Sequence, residues 1–246
     1  MGHYIYAIAA TPDEETFACS GMPDSGPVSL ICHKGIAAVV SSTSVLTYPI
    51  SRKNTMAHQQ VMEQVMKHHT ILPVKFGTVA DTLELIYEKL LEERHKELEK
   101  QLNHFAGKVE LGLKLMWREM DSVYSSIIEE SPKIRAVRDR LNRRRGGRQD
   151  EQIHLGEMVA TALEQKKKKE EALVWKALKG LWVDHRINNA IGDAMILHHA
   201  YLVDENREAA FDEAINQLLA NREDEMKLRY VGPTAPSHFI ELHIQW

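Results

Sequence analysis

Thirteen histidines and two cysteines are the side chains of this sequence best suited to metal or thiol chemistry, so their spacing is the first question. The pairs His68/His69 and His198/His199 are adjacent, which is poor ligand spacing. Neighbours on a strand point to opposite faces, and a helix brings together residues three or four apart. His95 with Glu99 has helical spacing but stands among charges typical of a solvated face. Cys19 and Cys32 flank a Gly/Pro-rich stretch without forming CxxC, which reads as two thiols in a reducing compartment, a disulfide being the weaker alternative. Cys32 beside His33 on a strand would diverge from it instead of forming a thiolate and base. Asp81, Glu84, Asp184, His185 and Asp193 are titratable groups near predicted element ends. Asp81 reads better as a helix cap and Asp193 as a turn residue. An enzyme would bring at least two of Asp184, His185, Asp193 and His198 into one concave pocket, whereas a scaffold would scatter them. The segments GMPDSG at 21–26 and GKVELG at 107–112 have the glycine spacing of a phosphate loop but lack the lysine that meets the phosphates. No catalytic residue, cofactor-binding residue or metal ligand is assigned, and no cofactor is expected.

The wider composition narrows the partners. Among 246 residues, 31 Lys and Arg against 35 Asp and Glu give a net charge of -4, so the whole surface has no field to hold a polyanion. Two basic patches remain: Arg143, Arg144, Arg145 and Arg148, and the run Lys166–Lys169. A solvated helix face and a mobile loop explain them better than nucleic-acid binding. An RNA-binding ferredoxin-like module stays as an alternative function, as does an enzyme of unknown reaction. No apolar run of about 18 residues exists to span a bilayer, and the opening MGHYIYAIAA lacks both a cationic leader and, with Tyr6 in the sixth position, a myristoylation pattern. A cytoplasmic protein without membrane contact is expected.

The elements follow from periodicity. HYIYAIAA predicts a strand buried on both faces, with Tyr4, Tyr6 and Ile8 on one side and Ile5 and Ala7 on the other. A mobile loop is expected over 9–27, then two antiparallel strands around a three-residue turn at His33, Lys34 and Gly35. A helix over 53–69 carries Met56, Val61, Met62, Val65 and Met66. After a β-rich run through Gly77, Asp81 and Glu84 form a capping box for one long helix burying Leu83, Tyr87, Leu90, Leu98, Leu102 and Phe105. KVELGLKLMWR alternates cleanly and opens a second domain. Residues 119–180 predict two or three helices. The last has a stripe of Leu155, Met158, Val159, Ala162 and Leu163 that resumes at Leu173, Trp175 and Leu178; between them KKKKEE projects into solvent. Two strands follow around a turn at 188–193, then Asn206 as a cap, a helix burying Phe211, Ile215, Leu218 and Leu219, and a final strand MKLRYVG. The fold class is therefore α+β with two domains: a mixed α/β sheet domain over 1–106, and a modified ferredoxin-like domain over 107–231 with an enlarged helical crossover. A tail over 232–246, with alternating Ile240, Leu242, Ile244 and Trp246, docks on the body.

Four segments carry a family resemblance: LPVKFGTVAD at 72–81, VELGLK at 109–114, AYLV at 200–203 and YVGPTAPSHF at 230–239. In order and spacing they resemble the signatures of the gas vesicle F/L family, and the likeness covers essentially the whole chain. Departures are Leu111, where family members often carry tryptophan, and a less aromatic final turn from Gly232 to Phe239. The resemblance implies an accessory or minor structural protein without catalysis, required for gas vesicle assembly. Its partners would be the small, very hydrophobic main shell protein (GvpA) and other accessory proteins. Edge addition of a shell strand is expected at the sheets and at the tail, with Gly232, Pro233, Pro236, Phe239, Ile240 and Leu242 as the partner-binding residues.

Overall fold

A computed structural model describes residues 1–11, 16–17, 19–143, 149–220, 222–244 and 246, with the side chains of 16 and 17 left aside. Arg144, Arg145 and Arg148 therefore lie outside the described residues, as does part of the expected 9–27 loop. The protein is α+β and divides into two compact units: one comprises residues 1–111, 202–205 and 232–246, the other 112–201 and 206–231.

In the first unit, strands β1 (Gly2–Ala10), β2 (Thr16–Phe17), β3 (Ser25–His33), β4 (Ile36–Thr43) and β5 (Ile71–Pro73) form a sheet in the order β2-β3-β4-β1-β5, with β6 (Val79–Ala80) also paired to β1. β1 is central and almost wholly buried because it is apolar on both faces. The expected alternation fails past Tyr6. A bulge between Ile5 and Ala7 shifts the register, so Ile8 joins the Ile5 side of the core, and Ala7 and Ala9 join the Tyr4 and Tyr6 side. The turn between β3 and β4 has two residues, not three: His33 pairs with Ile36, and Lys34 (φ 47°) with Gly35 (φ 85°) makes the left-handed turn that matches strand twist. The expected mobile segment is in part pinned, since Tyr6 Oη accepts the Met22 N–H at 2.7 Å.

Helix α1 (Arg52–Met66) begins at Ser51, whose side chain accepts the Asn54 N–H, and buries His58, Val61, Met62 and Val65 against the Tyr4 side of the sheet. Met56, expected inward, is exposed. The predicted single long helix is broken into α2 (Leu83–Leu85), a π-helical segment Ile86–Glu92 and α3 (His95–Phe105). Thr82, not Asp81, caps α2 by accepting the Leu85 N–H. In the π segment the Glu93 N–H reaches Glu88 O, one residue farther than in an α-helix. That wider turn moves the buried stripe to Ile86, Leu90 and Leu91, leaving Leu83 and Tyr87 44% and 40% exposed, against expectation.

In the second unit, α4 (Met120–Glu130), α5 (Pro132–Arg143) and α6 (Gln149–Leu178) precede β8 (Asp184–Ile187) and β9 (Met195–Asp204); α7 (Glu208–Leu219) precedes β10 (Met226–Thr234). With β7 (Lys108–Trp117) the strands order as β10-β7-β9-β8. Along β7, Leu111, Leu113, Leu115 and Trp117 are buried, as their alternation predicts. Ser131 Oγ accepts the Ile134 N–H and Pro132 starts α5. Asn206 lies within a short 3-10 turn, and the residue before α7 is Arg207, so Asn206 is not the cap. The middle of α6 projects into solvent on one face only: Lys168 and Lys169 are exposed, whereas Lys166 pairs with Glu130 at 2.9 Å, Lys167 with Glu164 at 3.3 Å, and Glu170 with Arg222 at 2.8 Å. These long side chains bury their stems while tying α6 to α4 and to the turn before β10. Leu173, expected to resume the stripe, is instead exposed.

Candidate partner-binding surface

The most family-like run, 72–81, is organised by a buried polar chain. Tyr4 Oη accepts the Gly77 N–H at 3.0 Å and stands 3.0 Å from His58 Nδ1, to which it donates. The His58 ring also hydrogen-bonds the Val74 backbone, and burial pushes its pKa down to about 4. A neutral ring therefore fixes β1, α1 and the 74–77 turn together. Nothing in the spacing of His58 marked it; only its place opposite Tyr4 does. In the second unit His199 is also held neutral, with a pKa pushed down to about 4 by burial first and then by His185 and His198. Its Nδ1 lies 3.1 Å from Tyr201 Oη, and Glu171 Oε1, 3.3 Å from Nε2, meets a neutral ring and does not form an ion pair.

The tail residues build one continuous segment in the first unit. Gly232 takes φ 142°, where a Cβ would stand 2.8 Å from Glu110 O and Leu111 Cδ2, so only glycine lets the chain pass β7 this closely. Pro233 follows at the end of β10. Pro236 O accepts the N–H groups of Phe239 and Ile240, both at 3.0 Å, closing a turn. The buried Glu110 carboxylate clamps that turn: Oε2 accepts the His238 N–H at 2.8 Å, and Oε1 lies 2.5 Å from His238 Nδ1. Leu242 is buried and bridges Val74 in parallel fashion, donating to Pro73 O at 2.8 Å and accepting from Lys75 N–H at 3.1 Å. Phe239, Ile240 and Ile244 pack on the same core, and Trp246 Nε1 donates to Val79 O at 3.0 Å. The bridge stays single because Pro73 has no N–H and the Gly77 N–H is taken by Tyr4. The six partner-binding candidates thus lie together, with their apolar side chains turned into the unit.

Of the titratable candidates, Asp184 and His185 are bonded to each other, and His185 and His198 both act on His199. Asp184 bonds His185 N–H and Arg186; His185 packs against Trp175 and Trp182 with centroids 4.6 and 4.9 Å away; Asp193 accepts from Tyr124 Oη at 2.8 Å. His68 and His69 line a cleft of about 230 Å³ with Lys67, Lys108 and Glu205, where α1 and α3 end. Lys108 Nζ donates to His104 O at 2.7 Å there, so basic groups complement two helix C-termini. Among the described residues, no three His, Cys, Asp or Glu side chains gather as a metal site. The register Phe17↔Val28 runs toward the end of β3 opposite Cys32, which keeps Cys19 away from it. On β10 the outward Lys227, Arg229 and Val231 offer no aromatic platform for a base.

Residues 2–241 match the profile of the family described as gas vesicle synthesis protein GvpL/GvpF. The chain belongs to that family. Among GvpL/GvpF relatives, gas vesicle protein F of Nostoc sp. is 25% identical over 98% of both chains. That of Microcystis aeruginosa is 27% identical over 98% of this chain and 99% of its own length. The crystal structure of GvpF from Anabaena sp. has the same fold, with a TM-score of 0.87 at 23% identity over 99% of both chains. GvpF from Microcystis aeruginosa superposes with a TM-score of 0.81 at 25% identity, over 98% of this chain and 99% of that one. These names describe gas vesicle proteins and no chemical reaction. Among the described residues no helix is long and apolar enough to cross a membrane.

Proposed function

We propose that this chain is an accessory or minor structural protein required for gas vesicle assembly, acting without catalysis in the cytoplasm and at the vesicle, through contact with the main shell protein (GvpA) and with other accessory proteins. The observation that carries the reading is the match of nearly the whole chain to a family named for gas vesicle synthesis. Physical need supports it: shell subunits expose large apolar areas before assembly, and a partner that covers them limits aggregation.

The tail is the proposed contact. Leu242 directs its N–H at Pro73 on β5 and its carbonyl at Lys75 just beyond it, so strand alternation turns the backbone groups of Glu241 and His243 outward. Gly232, Pro233 and Pro236 shape the approach, while Phe239, Ile240 and Leu242 anchor the segment and leave its outer backbone edge to receive a shell strand. A pull-down of the main shell protein tests both levels. Failure of the full chain to capture it, in cells that also form normal vesicles without the chain, sinks the assembly role. Capture that is unchanged by His243→Pro, which removes an outward N–H and spares the Leu242 bridge, sinks only the tail edge.

A further inference from the structure

Strand β8 is the outer strand of its sheet, so one side of Asp184–Ile187 faces no strand among the described residues. The Asn188 N–H donates to His198 O on β9 at 2.8 Å, so alternation turns the amides of Asp184 and Arg186 inward and those of His185 and Ile187 outward. Neighbouring side chains close the outward groups of His185. Its N–H donates to Asp184 Oδ1 at 2.8 Å, and its carbonyl accepts from Arg186 Nη1 at 2.9 Å. Arg186 Nη1 also donates to Asp184 Oδ1 at 3.0 Å, joining the two caps. Around this small charged clasp stand Val183, Ile187 and Ile191, exposed by 47%, 63% and 79%.

The order from Val183 to Ile187 is apolar, acid, histidine, base, apolar. Such an order complements itself when reversed. If two copies align antiparallel about a two-fold axis at His185, each His185 exchanges both hydrogen bonds with the other. Asp184 then faces the second copy's Arg186 in the closer, non-hydrogen-bonded pairing, and Val183 faces the second copy's Ile187. The side-chain caps on His185 give way to backbone pairing between the copies, the Asp184–Arg186 ion pair within each chain is exchanged for the same pair between chains, and exposed apolar side chains gain cover. An unrelated strand would have to supply base and acid in this same antiparallel order. The opposite edge of the sheet lacks this property, because Lys227 and Arg229 on β10 present two like charges.

We propose that this chain self-associates through β8 into a two-fold dimer in which two four-stranded sheets join as one, Asp184 and Arg186 exchanging partners between the copies. The pairing is isologous, so it closes at two and does not propagate.

Sedimentation velocity of the full chain between about 10 μM and about 500 μM tests it, in the range where a short edge interface is expected to associate. The expected result is a concentration-dependent dimer. Asp184→Lys or Arg186→Glu alone sets like charges opposite each other and weakens association by about tenfold, while the double exchange Asp184→Arg with Arg186→Asp returns it to within about threefold of the original. A chain that stays monomeric throughout, single variants that associate unchanged, or a double exchange no better than the singles overturns the proposal. Should a variant fold poorly, amide exchange of the unaltered chain decides: the Ile187 N–H slows as concentration rises if the edge pairs, and constant exchange overturns it.

Discussion

The ring of His58 carries no charge in the folded chain, and this has a consequence in pH. Its ordinary pKa is about 6.5, and burial lowers the folded value to about 4. Between the two values the unfolded chain binds a proton that the folded chain refuses, so stability present above about pH 6.5 is lost as pH falls toward 4. For His58 alone the loss is on the order of 3 kcal/mol, and His199 acts in the same direction. Thermal denaturation should therefore show a midpoint that drops between pH 7 and pH 4.5, with a shallower drop in His58→Gln. A flat midpoint across that window contradicts the buried neutral ring. Gly232 is a second single-residue constraint. Gly232→Ala combines a positive φ with a Cβ 2.8 Å from Glu110 O, and should cost about 1–3 kcal/mol in urea unfolding. Undiminished stability would mean that the chain passes β7 with more room than its geometry shows.

At the scale of elements, the strand edges are managed in different ways. Leu242 covers β5, the side chains of Asp184 and Arg186 close β8, and lysine and arginine line β10. For a protein proposed to handle aggregation-prone shell subunits, such control limits indiscriminate pairing. The tail depends on the Glu110 clamp, because two of its hydrogen bonds converge on one buried carboxylate. Glu110→Ala should release residues 236–246, seen as faster amide exchange confined to that segment, and should cost about 1–3 kcal/mol. Uniform exchange across the first unit would instead point to general destabilisation. The π segment is the other element with a consequence: by rotating Leu83 and Tyr87 outward it lets Tyr87 Oη reach His33 Nδ1 at 2.9 Å, linking this segment to the end of β3.

At the scale of the whole molecule, the family assignment and the tail's backbone edge lead to a prediction about location. If the chain is a lasting part of the vesicle it should remain with washed, purified vesicles; recovery only in the soluble fraction would indicate a transient assembly factor. Either outcome is compatible with shell-protein contact, which the pull-down decides separately. By itself the amino-acid sequence determined the α+β class, the alternating β7, the hairpin of β3 and β4, the helical character of residues 119–180, and membership of the gas vesicle family. Those properties are set by local periodicity and by short runs such as 72–81, which need no knowledge of distant neighbours. Tertiary structure alone decided the bulge that moves Ile8 to the other face, the π turn that exposes Tyr87, and the ion pairs of Lys166 and Glu170 with other elements. It also decided that His58, and not one of the paired histidines, is the buried ring that organises the 72–81 run. Each depends on groups far apart in the chain, Tyr4 with Gly77, Glu110 with His238 and Glu170 with Arg222, whose approach is fixed only when the sheets and helices pack and their remaining polar groups must find partners away from water.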